Sequence, residues 1–420
     1  MKLIRTALLI ILLAASCSKE NISPILDDDG VVISQVYSWK YALHENNQFM
    51  SNSFFDYPIL NNKFIAIPTT VQSGKRYMTL IDVLNGHFVW KWSDIFEIGA
   101  GYIDIDQVLI SDNLLLWQVG SRSYCVELNN GITKWKFLRP SSFSSQIDSY
   151  KNNFLIYGPI IGESGYEEYV AFKGNIQTGE LTEFIRSNLS GEYVAPTSEI
   201  GTIGGISYIN EIQEGDLLLV TYSEPLPEWK NKMMFGLYDV EQSNWIYERE
   251  QLVEPHWNAG VQHTPIVFNE RIYAAAGNTI VCHEVMTGNQ KWRRDFPNDF
   301  LFSGFIIEDG MLIALCEDGK LYRLNPETGG VVWTGEGAGT SSRMSYMNGV
   351  VYFVGGSTGK LHAVDAYTGE TVWRLDAELI EGSNAEFRTN AVYVIPGEGN
   401  EKGKVVALTH MHAYCFEAYR

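Results

Sequence analysis

The sequence predicts an all-β fold: an eight-bladed β-propeller of four-stranded antiparallel blades, with the last blade closed by the N-terminal strand. Three observations carry this reading. The stretch "GKLYRLNPETGGVVW" returns 40 residues later as "GKLHAVDAYTGETVW". The same frame recurs along most of the chain at the spacing of a four-stranded unit. The two ends of the chain hold complementary parts of one further unit.

Composition agrees. The 420 residues are 45% hydrophobic and 19% charged, with 38 Gly, which suits a packed, turn-rich globular chain rather than a disordered one. A net charge of −19 repels phosphate backbones and argues against nucleic acid as a partner.

In chain order, the first element is "MKLIRTALLIILLAASC". Lys2 and Arg5 precede a short apolar run, and small residues lead to Cys17. Residues 1–16 read as a secretory signal. "AASC" resembles the lipobox of bacterial lipoproteins, with Ala14 where that family usually has Leu. The resemblance implies that Cys17 carries the lipid anchor, and Ser18 after it implies the outer membrane. Residues 17–30, polar and acidic, read as a flexible tether. Residues 31–420 read as one propeller domain, expected as a monomeric ring.

The hairpin sentence defines each blade. Leu361, Ala363 and Asp365 share one parity and His362 and Val364 the other, as on a strand. Asp365 is placed to accept from backbone N–H groups of the coming turn. Gly369 supplies the positive φ that the turn needs. Thr371 to Leu375 return as a strand with Trp373 as its large residue. The other units follow this order of acid or amide, Gly and aromatic. They are Asp82, Gly86, Trp90; Glu127, Gly131, Trp135; Asn175, Gly179, Glu183, with Phe184 beside it; Asp239, Ser243, Tyr247, with Trp245 nearby; Glu284, Gly288, Trp292; and Asn325, Gly329, Trp333. Successive anchor positions lie 45, 48, 64, 45, 41 and 40 residues apart. The chain ends in "AYCFEAYR", with Glu417 at the acid position and no strand after it. The missing strand is "VYSWKYAL" near the N-terminus, with Trp39. Its return would close the ring and remove an open sheet edge.

The frame Ala363, Asp365, Thr368, Gly369, Trp373 resembles the repeat of the quinoprotein-type, PQQ-like β-propeller family. That family contains quinone-dependent dehydrogenases and a non-enzymatic lipoprotein of the outer-membrane β-barrel assembly machine, and this chain looks more like the latter. The resemblance implies that Trp39, Trp90, Trp135, Trp292, Trp333 and Trp373 pack between neighbouring blades. In the family's enzymes an adjacent-cysteine disulfide lies near the quinone. This chain has no Cys-Cys pair. Cys125, Cys282 and Cys415 recur at one strand position, each two residues before a Glu, as small core residues do. No cofactor, no metal and no enzymatic activity are therefore expected.

Three other stretches have bland readings. "GGSTGKL" (residues 355–361) falls in a hairpin rather than before a helix and reads as a turn. In "THMHAYC", His410 and His412 are expected on one face of a strand, half of a metal site at most. "EPHWNAGVQHTP" (residues 254–265) is expected as an inter-blade segment near the ring axis.

The expected function is a lipid-anchored interaction scaffold of the cell envelope, in the outer membrane and facing the periplasm or the exterior. Its partners would be the membrane, through the lipid, and envelope or outer-membrane proteins. The alternatives are small-molecule or glycan binding in the central pocket and a quinone-dependent oxidoreductase. The surplus of the fourth unit, residues 187–233, reads as loop length that is either tolerated drift or a binding elaboration. Within it Leu226, Pro227, Trp229 and Lys230 form the candidate partner surface, since Trp is a frequent interface anchor.

Overall fold

The computed structural model describes residues 24–43, 50–51, 63–71, 76–96, 108–119, 122–138, 147–161, 167–186, 202–209, 216–226, 230–256, 265–300, 304–339, 342–379, 385–388, 392–399 and 401–420. Cys17 lies outside them. Every regular element described is a strand, and the strands form eight antiparallel blades.

Blade seven shows the plan. Its strands, from inside outward, are Ser345–Met347, Val350–Val354, Leu361–Asp365 and Thr371–Leu375. The two middle strands are buried at every position. Alternation of polar and apolar residues fails there because a blade is covered on both faces by its neighbours. The core is accordingly a series of layers between blades. Trp373 and Tyr352 pack with Tyr414 and Phe416 of blade eight, and Trp292 of blade five with Leu312 and Tyr322 of blade six.

The ring closes as the two ends imply. Tyr37–Ala42 pairs with His412–Glu417 as the outer strand of blade eight, with Trp39 opposite Cys415. Part of the tether expected over residues 17–30 is strand. Ile25–Leu26 pairs with Val32–Ser34, and Val32 pairs in parallel with Trp373, so blade seven has six strands. The Asp27 carboxylate folds this hairpin by accepting from the N–H groups of Asp29 (3.0 Å) and Val31 (2.9 Å). That is the turn chemistry of Asp365, which accepts from Tyr367 (2.9 Å) and Thr368 (3.0 Å).

Blade four corrects a second expectation. Much of its surplus lengthens strands instead of forming a loop. Leu217–Leu226 and Lys230–Asp239 pair over ten positions, against five for the same strands of blades six and seven. Its outer strand runs from Asn244 to His256. The prolines that suggested a loop sit where the ladder is one-sided. Among the described residues the inner strand of blade four pairs no further than Ser223, and Pro225 lies beyond that pair. Pro159 lies in the same way beyond the last described inner pair of blade three, at Ile156.

Candidate functional site

The repeated residues converge on the junctions between blades. The indoles of five anchors donate to the carbonyl one residue past the acid position of the next blade. Trp39 Nε1 reaches Val83 O at 2.8 Å, Trp90 reaches Leu128 O at 2.7 Å and Trp135 reaches Ile176 O at 3.1 Å. Trp292 reaches Pro326 O at 2.8 Å and Trp333 reaches Ala366 O at 3.1 Å. The ring then lies flat over the next blade's turn glycine. A Cβ on Gly131 would sit 2.8 Å from the Trp90 ring, and one on Gly369 would sit 2.8 Å from the Trp333 ring. Both glycines also have positive φ, +71° and +81°. The glycine is thus required twice, by its backbone and by its neighbour.

The two weak copies of the frame follow the same geometry. Tyr247 stands in for Trp in blade four and donates its hydroxyl to Val285 O at 2.6 Å. In blade three the ladder slips by one residue, so Glu183 points to solvent and Phe184 packs against Tyr150, ring centroids 5.4 Å apart. With no indole above it, the following turn tolerates a side chain. That turn carries Ser243, at φ 52°, in the glycine position.

The described cysteines lie in the blade cores. Cys125, Cys282 and Cys415 pair across the ladder with Trp135, Trp292 and Trp39. Small residues fit opposite the indoles. All four cysteines among the described residues are free and buried, and burial pushes the Cys125 and Cys415 thiols up to about 12, which leaves them unreactive. His412 begins a strand, whereas His410 lies in the turn before it and not on the same strand face. The Arg388 guanidinium stands 2.7 Å from His410 Nε2, where it competes with any metal for that nitrogen. Among the described residues no three His, Cys, Asp or Glu side chains are grouped to hold a metal ion. "GGSTGKL" is a turn: Gly359 N–H donates to Gly355 O at 2.7 Å, and Glu386 fills the space beside Gly359.

The candidate partner surface is described only in part. Leu226 and Lys230 are the last backbone pair of the blade-four hairpin; Pro227 and Trp229 lie outside the described residues. Glu254 to His256 end the outer strand of blade four, so the first part of residues 254–265 belongs to the rim rather than the axis. Sequence reasoning missed the Ile25–Ser34 hairpin, although its acid-to-glycine spacing in "DDDG" was a legible signal.

Residues 239–417, less than half of the chain, match the family model described as outer membrane protein assembly factor BamB. No curated protein matches the chain. Among solved structures, BamB from Moraxella catarrhalis is similar over 92% of this chain and 100% of its own, with 12% identity and a TM-score of 0.56. The quinohemoprotein alcohol dehydrogenase ADHIIG from Pseudomonas putida HK5 is similar over 94% of this chain and 78% of its own, with 10% identity and a TM-score of 0.64. The corresponding enzyme of Comamonas testosteroni covers 91% and 76%, with 11% identity and a TM-score of 0.60. At such identities the likeness concerns the fold. Blades formed by one repeated acid, glycine and tryptophan frame make this chain an eight-bladed β-propeller, and its residues 239–417 are similar to the BamB family model.

Proposed function

We propose that the protein is a lipid-anchored, non-catalytic interaction scaffold of the cell envelope that serves outer-membrane protein assembly. The match of residues 239–417 to the assembly-factor family carries the reading. Three features support it. The N-terminus has the charged start, apolar run and "AASC" of a lipoprotein signal, with Cys17 as the anchored residue. The repeated residues are used in joining blades, which yields a rigid ring with broad faces on which binding is carried by loops and edges. Among the described residues, the buried thiols and the Arg-bound His410 offer no nucleophile or metal ligand set.

The test is crosslinking in membranes followed by pull-down. Wild-type protein is expected to fractionate with membranes and to bring down outer-membrane β-barrel proteins. The Cys17→Ala variant is expected to fold and to leave the membrane fraction. Wild-type membranes yielding no envelope protein would overturn the scaffold reading, and an unchanged membrane fraction for Cys17→Ala would overturn the lipid anchor. A quinone-dependent oxidoreductase is the second reading, favoured by the likeness to two alcohol dehydrogenases. Dye reduction on adding the quinone and Ca²⁺ is its test.

A further inference from the structure

We propose that the outer edge of blade six, residues 331–334, is a docking edge for an extended, β-branched segment of a partner protein, added in parallel beside Trp333. The inference deepens the scaffold reading and rests on it.

The outermost strand of a blade presents unpaired N–H and C=O groups, and proteins protect such edges with charge, bulges or proline. Most outer strands described here do so. Blade eight has Lys40, blade one Lys91, blade two Lys134, blade three Glu183, blade four Glu250 and blade five Lys291. Blade six is the exception among the described residues. Its outer strand Val331–Glu336 reads Val-Val-Trp-Thr-Gly-Glu, with no charge before the last position. It ends its sheet, and among the described residues no strand pairs beyond it. Val331 is 38% exposed and Val332 54% exposed.

The chain supplies its own precedent. In blade seven the equivalent edge is occupied: Val32 pairs in parallel with Trp373, the counterpart of Trp333. Val372, the counterpart of Val332, packs there against the cluster that contains Val32. The same frame therefore accepts a strand of the type Val-Ile-Ser in parallel. The edge of blade six is also fixed in place. Arg374 holds Glu336 at 2.6 Å and Thr371 donates to it at 3.3 Å. A preformed edge loses little freedom on binding.

The occupant is a partner rather than a second copy. The Val32–Ser34 strand of each chain is already engaged in its own blade seven. Two chains of net charge −19 also repel one another. The same charge favours a segment flanked by basic residues.

The probe is a synthetic peptide, Lys-Gly-Val-Val-Ile-Ser-Lys, added to the full chain. It is expected to bind saturably and to slow amide hydrogen exchange over residues 331–334. Val332→Lys, a change at an exposed site, is expected to leave the melting temperature unchanged and to weaken binding by about tenfold or more, because a charged edge side chain opposes strand addition. Absence of protection at residues 331–334 overturns the proposal, as does equal peptide binding by Val332→Lys. So does sedimentation of the wild type as a dimer that Val332→Lys dissolves, which would assign the edge to a second copy. If Val332→Lys retains every partner in the membrane pull-down, the scaffold stands and the edge does not.

Discussion

Gly131→Ala should be far more costly than an alanine in an ordinary turn, and the excess should depend on Trp90. Two effects add. Gly131 has φ +71°, and an alanine held in that left-handed region costs about 1–2 kcal/mol. Its Cβ would also lie 2.8, 2.9 and 3.2 Å from three atoms of the Trp90 ring. The indole is 6% exposed and is tied by Nε1 to Leu128 O at 2.7 Å, so it moves only by giving up that bond. Overpacking of this kind costs about 1–3 kcal/mol. The sum is about 2–5 kcal/mol, a large share of the stability of an ordinary domain. Trp90→Ala removes the obstacle along with the packing. In that background Gly131→Ala should cost only the backbone term, and the coupling read from a double-mutant cycle should be about 1–3 kcal/mol. The assay is urea denaturation of the wild type, both single variants and the double variant. A coupling near zero would refute the view that glycine and indole form one joint.

Three further outcomes follow from the same geometry. Tyr247→Phe keeps the ring but leaves Val285 O without its 2.6 Å donor; it should lose about 1–3 kcal/mol, measured as a shift of the urea midpoint. Trp39→Ala removes an 8%-exposed indole at the seam between blades eight and one and should cost about 3–5 kcal/mol; a melting temperature equal to wild type would show that the seam does not depend on it. His362 is 1% exposed, and burial holds its imidazole down to about 4 from an ordinary 6.5. The unfolded chain takes up its proton first as pH falls, so this contribution is intact above pH 6.5 and is lost on the way down to pH 4. The full loss is about 3 kcal/mol, and His362→Gln should flatten the stability profile across that window.

The fold was legible because the repeat states its own geometry. Asp365, Gly369 and Trp373 each meet a physical demand that only a few residue types satisfy, and the same three demands recur in blade after blade. Blade four was harder to read for a physical reason. Gly-Gly in Thr202–Ile209 and Pro225 in Leu217–Leu226 are turn signals in an isolated segment, yet a strand paired on one side accepts both. The Ile25–Ser34 hairpin was hidden differently. Its two strands are short and polar-flanked, and the partner that makes them strands, Trp373, lies far away in the chain. The blade-six edge was not legible at all, since the absence of charge in "VVWTG" means nothing until the strand is known to be outermost.

Function was the least legible part because the conserved-looking frame of this chain is spent inside its joints. Indole, turn glycine and acid answer to the neighbouring blade, so they identify the architecture and leave its surfaces unspecified. The departures from the frame are more informative. Blade three lacks the indole and blade four lacks the glycine beneath it, and these two losses are one change, since Ser243 is tolerated only where no ring lies above. The junction is then held by other groups: Tyr150, Tyr157 and Phe184 of blade three share a cluster with Leu218, Met234 and Tyr238 of blade four, and Tyr150 donates to Asp216 at 3.1 Å. These two blades also have the long middle strands, paired over nine and ten positions. A repeat that gives up its standard joint and lengthens its strands at the same place has been reshaped there. The elongated hairpins of blades three and four are therefore the described places where the chain departs furthest from its own repeat.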